Sequence, residues 1–568
     1  MKSKVAIIGG GVAGLSAAHE LIERGFSVEV YEKQPDVFGG KARSYSLANS
    51  GKEGRKDLPA EHGFRFFPGF YKHIIDTLER IPLTNNLTVA SNLVHSQSTY
   101  FAQKKYLDFF TLNRLPTNLH ELRLALNLYL PQNYNVSLEE LDFVAIKIWQ
   151  MMTSCDERIN NEYDKLSTWD LLEANKKSNS YKNFFADQPR VLLAAQPKLM
   201  SARVGSKIIP QMLYSSLLGI NSNDNVLNGP TNQAWIDPWV KYLRSKGVTL
   251  KLNQTITKIN LDPKTNRISS LSTKEGEEII ADYYIIAIPV EAIDLLISPE
   301  LIKIDNTLAG IKKLAKHVSW MNGIQFYLNK RVDIVKGHVN YVGTPWALTS
   351  VSQAQFWPDY KLKEYGDGNV EDIISVDISD WNALGLLHNK IARKCSPLEI
   401  KEEVWYQIKT WLNSTTKNLL SDEDLISYSL DQDIIKDNEA PEIYQTRNAE
   451  PLLVNRRQTA NLKPLAYTKI SNMFLAADYV STNTELACME GANEAARRAT
   501  NAIISIHNQL THEHLDYCKI WDLHIPKFLL PFKLHDLRRY RKGLPWNGEL
   551  PINFNWIINK FNFKFNSQ

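Results

Sequence analysis

The chain opens with four apolar residues, Val5 to Ile8, which stop at a run of glycines. Such a short apolar run bounded by turn residues reads as a fully buried strand. Val12 to Arg24 follows with helical spacing, placing Leu15, Ala18, Leu21 and Ile22 on one face, and Gly25 ends it. Ser27 to Glu32 is a second short strand that closes on an acid. Residues 72–234 then carry mainly helical patterns, such as Asp142 to Met152 and Ser167 to Ala174. Trp235 to Lys246 predicts a helix stopped by Gly247, with strands at Val248 to Leu252 and Gln254 to Ile259. A polar turn, Asp262 to Asn266, pairs the latter with Arg267 to Thr273, and Asp282 to Pro289 is another buried strand. Ser319 to Leu328 and Pro345 to Trp357 are strand-like and aromatic, with Asn322, Gln325, Gln353 and Gln355 among them. Near the end, Met473 to Tyr479 reads as an apolar strand and Thr484 to Ile506 as a helix.

The first turn carries chemistry. Gly9, Gly11 and Gly14 form the spacing G-x-G-x-x-G between strand and helix, and Glu32 lies 18 residues past Gly14. Gly9 allows the tight turn, Gly11 a close approach of a pyrophosphate, and Gly14 close helix–strand packing. The free N–H groups at the start of the helix, around Val12 and Ala13, suit phosphates. Glu32 suits a ribose hydroxyl. A dinucleotide is the expected ligand.

Length and composition narrow this reading. A chain of 568 residues predicts two lobes rather than one core, and 43% apolar with 23% charged residues describes an ordinary globular protein. The four cysteines, Cys155, Cys395, Cys488 and Cys518, lie far apart without a C-x-x-C pair. That argues against a zinc site or disulfide framework and for a reducing compartment. No run approaches 18 apolar residues, so no spanning helix is expected. The net charge of +4 is concentrated at the end, where residues 519–568 hold nine Lys/Arg and three Asp/Glu. A cytoplasmic protein without a nucleic-acid partner or a metal is expected.

Gly39-Gly40-Lys41-Ala42-Arg43, directly after the acidic strand, resembles the second flavin motif of the amine oxidase and carotenoid desaturase superfamily. Pro59 to Tyr71, with Glu61, Gly63, Phe66, Phe67, Gly69 and Tyr71, is similar to a block of the plant-type phytoene and zeta-carotene desaturases. Pro68 looks inserted there, and Arg65 stands where those enzymes tend to have histidine. Met473-Phe-Leu-Ala-Ala-Asp-Tyr479 resembles the C-terminal flavin motif, with Ala477 in place of the usual glycine, and Met489-Glu-Gly-Ala492 resembles the desaturase branch.

The resemblance implies an α/β fold: a Rossmann-type FAD-binding domain with a discontinuous α+β substrate domain inserted. The FAD-binding segments would be 1–95, 230–300 and 463–510, the substrate segments 96–229 and 301–462, and 511–568 a basic aromatic extension. It implies non-covalent FAD held by Gly9, Gly11, Val12, Ala13, Gly14, Glu32, Lys33, Gly40, Lys41, Ala42, Arg43, Phe66, Ile256, Ala287, Pro289, Asp478 and Met489. Arg65, a guanidinium inside an aromatic block, needs an anionic or π partner and is the one catalytic candidate.

Three activities fit this frame. The first is hydride transfer between flavin and an apolar lipid or isoprenoid, with a quinone or oxygen as electron acceptor. The second is amine oxidation, which in that branch uses a lysine near the start of the first substrate-lobe strand. Its place falls at Met321 or Asn322, with Lys316 and Lys330 nearby. The third is isomerisation or dehydroxylation of a lipid. A flavin-binding scaffold without turnover is the alternative outside enzymes.

The tail has its own pattern. Residues 519–568 contain ten aromatics, half of them between Phe554 and Phe565. Pro531 and Gly543 bracket a helix in which Leu530, Leu534 and Leu537 form an apolar stripe above Arg538, Arg539, Arg541 and Lys542. Two readings follow: a helix lying in an anionic membrane interface, or a strap that buries its rings on the body.

Overall fold

A computed structural model describes residues 2–102, 116–129, 136–218, 224–413, 418–437 and 445–550. Two sheets organise it. The first is a five-stranded parallel sheet in the order Met473–Leu475, Tyr283–Ile286, Lys4–Ile8, Ser27–Tyr31, Thr249–Lys251. Parallel strands buried on both faces need continuous apolar runs, and the central strand residues Val5, Ala6, Ile7, Tyr284, Ile285 and Ile286 are fully buried. The helices Val12–Glu23 and Met489–Thr511 pack together over this sheet. Buried Asn493 joins them by donating to Ser16 Oγ at 2.8 Å.

The second sheet has six strands in the order Leu425–Leu430, Asn322–Leu328, Asp372–Ile378, Leu348–Ser352, Gly337–Tyr341, Ser98–Ala102. Every pair is antiparallel except the last. One face packs on the helix Pro397–Leu412, where Phe326 meets Trp405 at 5.0 Å. The opposite face carries Gln325, Ser375 and Asp377, and looks toward the first domain's strand Pro59–Glu61.

Several boundaries differ from the sequence reading. The aromatic block 62–71 is irregular beyond the three-residue strand Pro59–Glu61, which pairs with Ser44–Ser46 as a hairpin. Trp235 falls in a short π-helical turn, Asn232–Ile236, that precedes the helix Asp237–Ser245. The C-terminal helix starts at Met489, five residues later than expected, because Cys488 is its N-cap in extended conformation.

The tail straps across the helices Leu138–Thr153 and Asp156–Asn161. Its helix Leu530–Arg541 buries Asp536 rather than the leucine stripe; Leu530 and Leu534 are 45% and 57% exposed. Phe528, Phe532 and Trp546 pack around Trp149 and Leu529 instead. Phe554, Trp556, Phe561, Phe563 and Phe565 lie outside the described residues.

Candidate functional site

The glycine turn is built as the spacing requires. Gly9 has φ +102°, and a Cβ there would meet the Ala287 carbonyl oxygen at 2.5 Å. A Cβ on Gly14 would sit 1.8 Å from the Gly9 oxygen, which no side chain could relieve. Gly11 is different: a Cβ there would come no closer than 3.6 Å to any atom, Gly40 Cα being the nearest, so fold packing does not demand glycine there. The first-turn N–H groups of Val12, Ala13 and Gly14 have no acceptor within the helix and sit beside the Gly39–Gly40 loop. A phosphate fits this cradle.

Glu32 is buried and accepts from Gly10 N at 2.6 Å and Gln34 N at 2.9 Å. Burial pushes its carboxyl above the ordinary value, against the pull of those two N–H groups. Each oxygen keeps a lone pair for a ribose hydroxyl. Gln254 N donates to the Glu32 carbonyl at 2.8 Å, which brings the start of the strand Ile256–Asp262 to the same place.

The two lysines of this region turn to protein partners. Lys33 pairs with Glu450 at 2.7 Å and Lys41 with Glu291 at 3.6 Å. Ala42 is buried and donates its N–H to Gly39 O at 3.0 Å, tightening the loop. Arg43, 1% exposed, donates to Gly40 O at 2.6 Å and ion-pairs with Asp433 of the substrate lobe.

On the far side, Ala287 N donates to Ile8 O at 2.8 Å, and Pro289 caps the next helix. The Asp478 carbonyl and the Glu485 carbonyl accept from Lys463 at 3.3 and 3.0 Å. Burial depresses the Lys463 ammonium despite the acids Glu485 and Asp478 nearby. Met489 opens the long helix. Its neighbour Glu490 accepts from Lys72, His73 and Ile74 N–H and from His73 Nδ1, capping the helix His73–Glu79. Residues 62–71 therefore run from Arg43, whose carbonyl accepts from His62 N at 3.2 Å, to the start of this helix.

Along that path lies a buried charge cluster that the sequence reading caught only at Arg65. Arg65 donates to Gly63 O at 2.7 Å, and its guanidinium faces the carboxylates Glu61 and Asp377. Burial pushes both acids up to about 7, against Arg65 and, for each, His62. His62 Nδ1 lies 2.9 Å from both Asp431 and Asp433. Burial opposes its charge, but those carboxylates outweigh it and raise the imidazole. These three side chains could ligate a cation by distance, yet Arg43 already ion-pairs with Asp433. Phe64 and Phe66 flank His338, both ring centroids at 5.4 Å, and burial lowers that imidazole to about 4. Asp431 and Asp433 lie some 390 residues from Arg43 in a D-Q-D string, which carries no local signal of the contact.

The sequence pattern of the flavin-containing amine oxidoreductases matches residues 12–504. The chain belongs to that family. Its cofactor is FAD, and it is an FAD-dependent oxidoreductase. The chain is 22% identical over 544 residues to a 15-cis-phytoene desaturase of Synechococcus elongatus, covering 89% of this chain and 97% of the relative. A zeta-carotene desaturase of Zea mays is 38% identical over 88 residues, 16% of this chain and 14% of that one. Among solved structures, a putrescine oxidase bound to putrescine superposes with TM-score 0.59 at 13% identity, covering 89% of this chain and 99% of that one. A cyclohexylamine oxidase from Brevibacterium oxydans gives 0.58 at 14%, covering 90% and 100%. The α/β architecture with a parallel cofactor sheet is thus the fold of this flavoenzyme family.

With bound FAD, this family's chemistry is two-electron exchange at the flavin. The residues that would hold the cofactor are the glycine turn, for the pyrophosphate, and Glu32, for a ribose hydroxyl.

Proposed function

We propose that this flavoenzyme oxidises or desaturates an apolar lipid or isoprenoid, hydride passing from a C–H bond to the flavin. The observation that carries the reading is that the place where amine-oxidising relatives are expected to keep a lysine falls at Met321 or Asn322, neither of them a lysine. The Asn322 amide donates to Asp431 at 2.8 Å and accepts from Asn448 at 2.7 Å, so it is fixed as an amide. Lys316 is exposed, and Lys330 pairs with Asp424 at 2.8 Å on the outside. The apolar cluster of Phe64, Phe66, Val351, Phe356 and Trp357 beside Glu61 is in keeping with an apolar ligand, and the length-wide similarity to phytoene desaturases agrees with it.

Arg65 is the group we assign to the reaction, as the cation that polarises the flavin or holds a quinone or oxygen acceptor. Arg65→Gln should keep FAD content and slow flavin reduction or reoxidation. The exposed Leu530, Leu534 and Leu544 beside Arg538, Arg541 and Lys542 would rest on an anionic membrane, from which such a substrate is drawn.

Two measurements test the function. Lipid extraction of the purified protein with mass spectrometry should yield a long apolar ligand. Under anaerobic conditions, 15-cis-phytoene in liposomes should bleach the flavin and putrescine should not. Bleaching by the amine alone would overturn the reading.

A further inference from the structure

Asp377 lies on the floor strand Asp372–Ile378, opposite Gly323 and Thr349 in register. Only backbone separates it from the loop 62–65. A Cβ on Gly63 would meet Asp377 Oδ1 at 2.9 Å, and one on Gly323 would meet Gly63 Cα at 2.9 Å. The buried polar atoms in this place without a hydrogen-bond partner include Asp377 Oδ1, Thr349 Oγ1 and Arg65 Nε. Asp377 is 5% and Thr349 1% exposed. An orphaned buried acceptor costs about 1–3 kcal/mol, so its persistence calls for a functional account.

The charged groups around the carboxylate come from every neighbouring element. Arg65 and His62 face it from the loop, Asp431 from the turn after the strand Leu425–Leu430, while Glu61 and Arg43 act on Arg65. The strands on either side offer Thr349, Gly323 and Gln325, none of which is charged. Of the acids near Arg65, Glu61 already accepts from Thr231 N at 2.9 Å and Thr231 Oγ1 at 2.7 Å. Asp431 accepts from Asn322 and lies 2.9 Å from His62 Nδ1. Asp377 Oδ1 alone remains open.

We propose that Asp377, under the loop 62–65, stands beside the flavin ring and is the proton acceptor of the reaction. Removing hydrogen across a C–C bond takes one C–H bond as hydride, both electrons going to oxidised FAD. The adjacent C–H bond then breaks, its electron pair becoming the new C=C bond and its proton passing to Asp377 Oδ1. The assignment rests on the C–H oxidation proposed above. A carboxyl that burial lifts to about 7, against Arg65 and His62, is matched to receive and release a proton near neutral pH.

The test needs no substrate. Reduction places negative charge on the flavin, and an acid beside it then binds a proton more tightly. Over the window from about pH 7 upward to its raised value, Asp377 takes up one extra proton per flavin reduced. The midpoint potential of the purified FAD-bound protein, measured by dye-coupled reductive titration from pH 5.5 to 9, should fall about twice as steeply in that window as outside it. Asp377→Asn should abolish the steep segment while FAD content stays near wild type. Arg65→Gln, which removes the cation holding Asp377 down, should move its onset to higher pH, and Glu61→Gln should retain the segment. A straight wild-type line, a steep segment surviving in Asp377→Asn, or an onset unmoved in Arg65→Gln would each overturn the assignment. A protein without FAD would instead sink the flavoenzyme reading, and amine-only bleaching the lipid reading.

Discussion

Asp536 is the anchor by which the tail holds the body, and its removal can be worked through. Its carboxylate receives Arg158 Nε at 3.0 Å and Nη2 at 2.9 Å, and Cys155 N at 2.9 Å. Arg158 is 2% exposed and Asp536 3%. Around the pair, Trp546 Nε1 donates to Thr153 Oγ1 at 3.0 Å, Trp149 Nε1 to Gly548 O at 3.0 Å, and Lys533 to Ser154 O at 2.8 Å. Removing one partner of a buried ion pair costs about 3–5 kcal/mol, chiefly because the other charge is left stranded. Here Glu162 still reaches Arg158 Nη1 at 2.6 Å and the Leu544 carbonyl reaches Nη2 at 2.9 Å, so Asp536→Ala belongs at the low end, about 3 kcal/mol. The loss appears as local detachment of this segment, roughly a hundredfold in the docking equilibrium. Hydrogen exchange read by mass spectrometry should show protection lost over residues 525–548, with the parallel sheet unchanged. Asp536→Asn should fall between. A loss below about 1 kcal/mol, or one spread evenly over the whole chain, would refute the anchor.

Glu32→Ala removes a buried acceptor from the ribose and from Gly10 N; FAD affinity should drop by about 1–3 kcal/mol, read from flavin absorbance after gel filtration. Gly14→Ala places a methyl on the Gly9 carbonyl, so a colourless and poorly folded product is expected; a yellow, stable variant would contradict the packing described. For pH, Asp377 is raised from 3.8 to about 7 by burial, offset in part by Arg65 and His62. The native state binds the extra proton, so this acid favours folding fully below about pH 4 and loses that contribution as pH rises through 7. Denaturant titrations of the FAD-free protein should show Asp377→Asn gaining on wild type by about 3 kcal/mol between pH 4 and 8; a pH-independent difference would refute it.

The cofactor half of the molecule was legible because its signals are local. Gly9, Gly14 and Glu32 are fixed by a strand, a turn and a helix within 30 residues, and backbone sterics leave few other choices there. Arg43 was found as a motif residue, but its ion pair with Asp433 depends on two lobes meeting. The floor of the site was hidden for the same reason: Asp377 reads as one acid in an apolar strand until strand register sets it opposite Gly323. The leucine stripe misled in part. Period alone chose Leu530 and Leu534, whereas the buried ion pair at Asp536 set which face of the helix turns inward.

The parallel sheet has a consequence for how the protein is made. Its strands come from residues 4–31, 249–251, 283–286 and 473–475, and the long helix packed over it begins only at Met489. A ribosome adding about 5–20 residues each second needs roughly 20–90 s to travel from the second strand to the last. Throughout that interval the glycine turn and its acid exist without the edge strand and helix that complete this domain's core. Holoenzyme formation is therefore a late event in the life of the chain. A cell short of FAD would accumulate full-length apoprotein rather than arrested fragments.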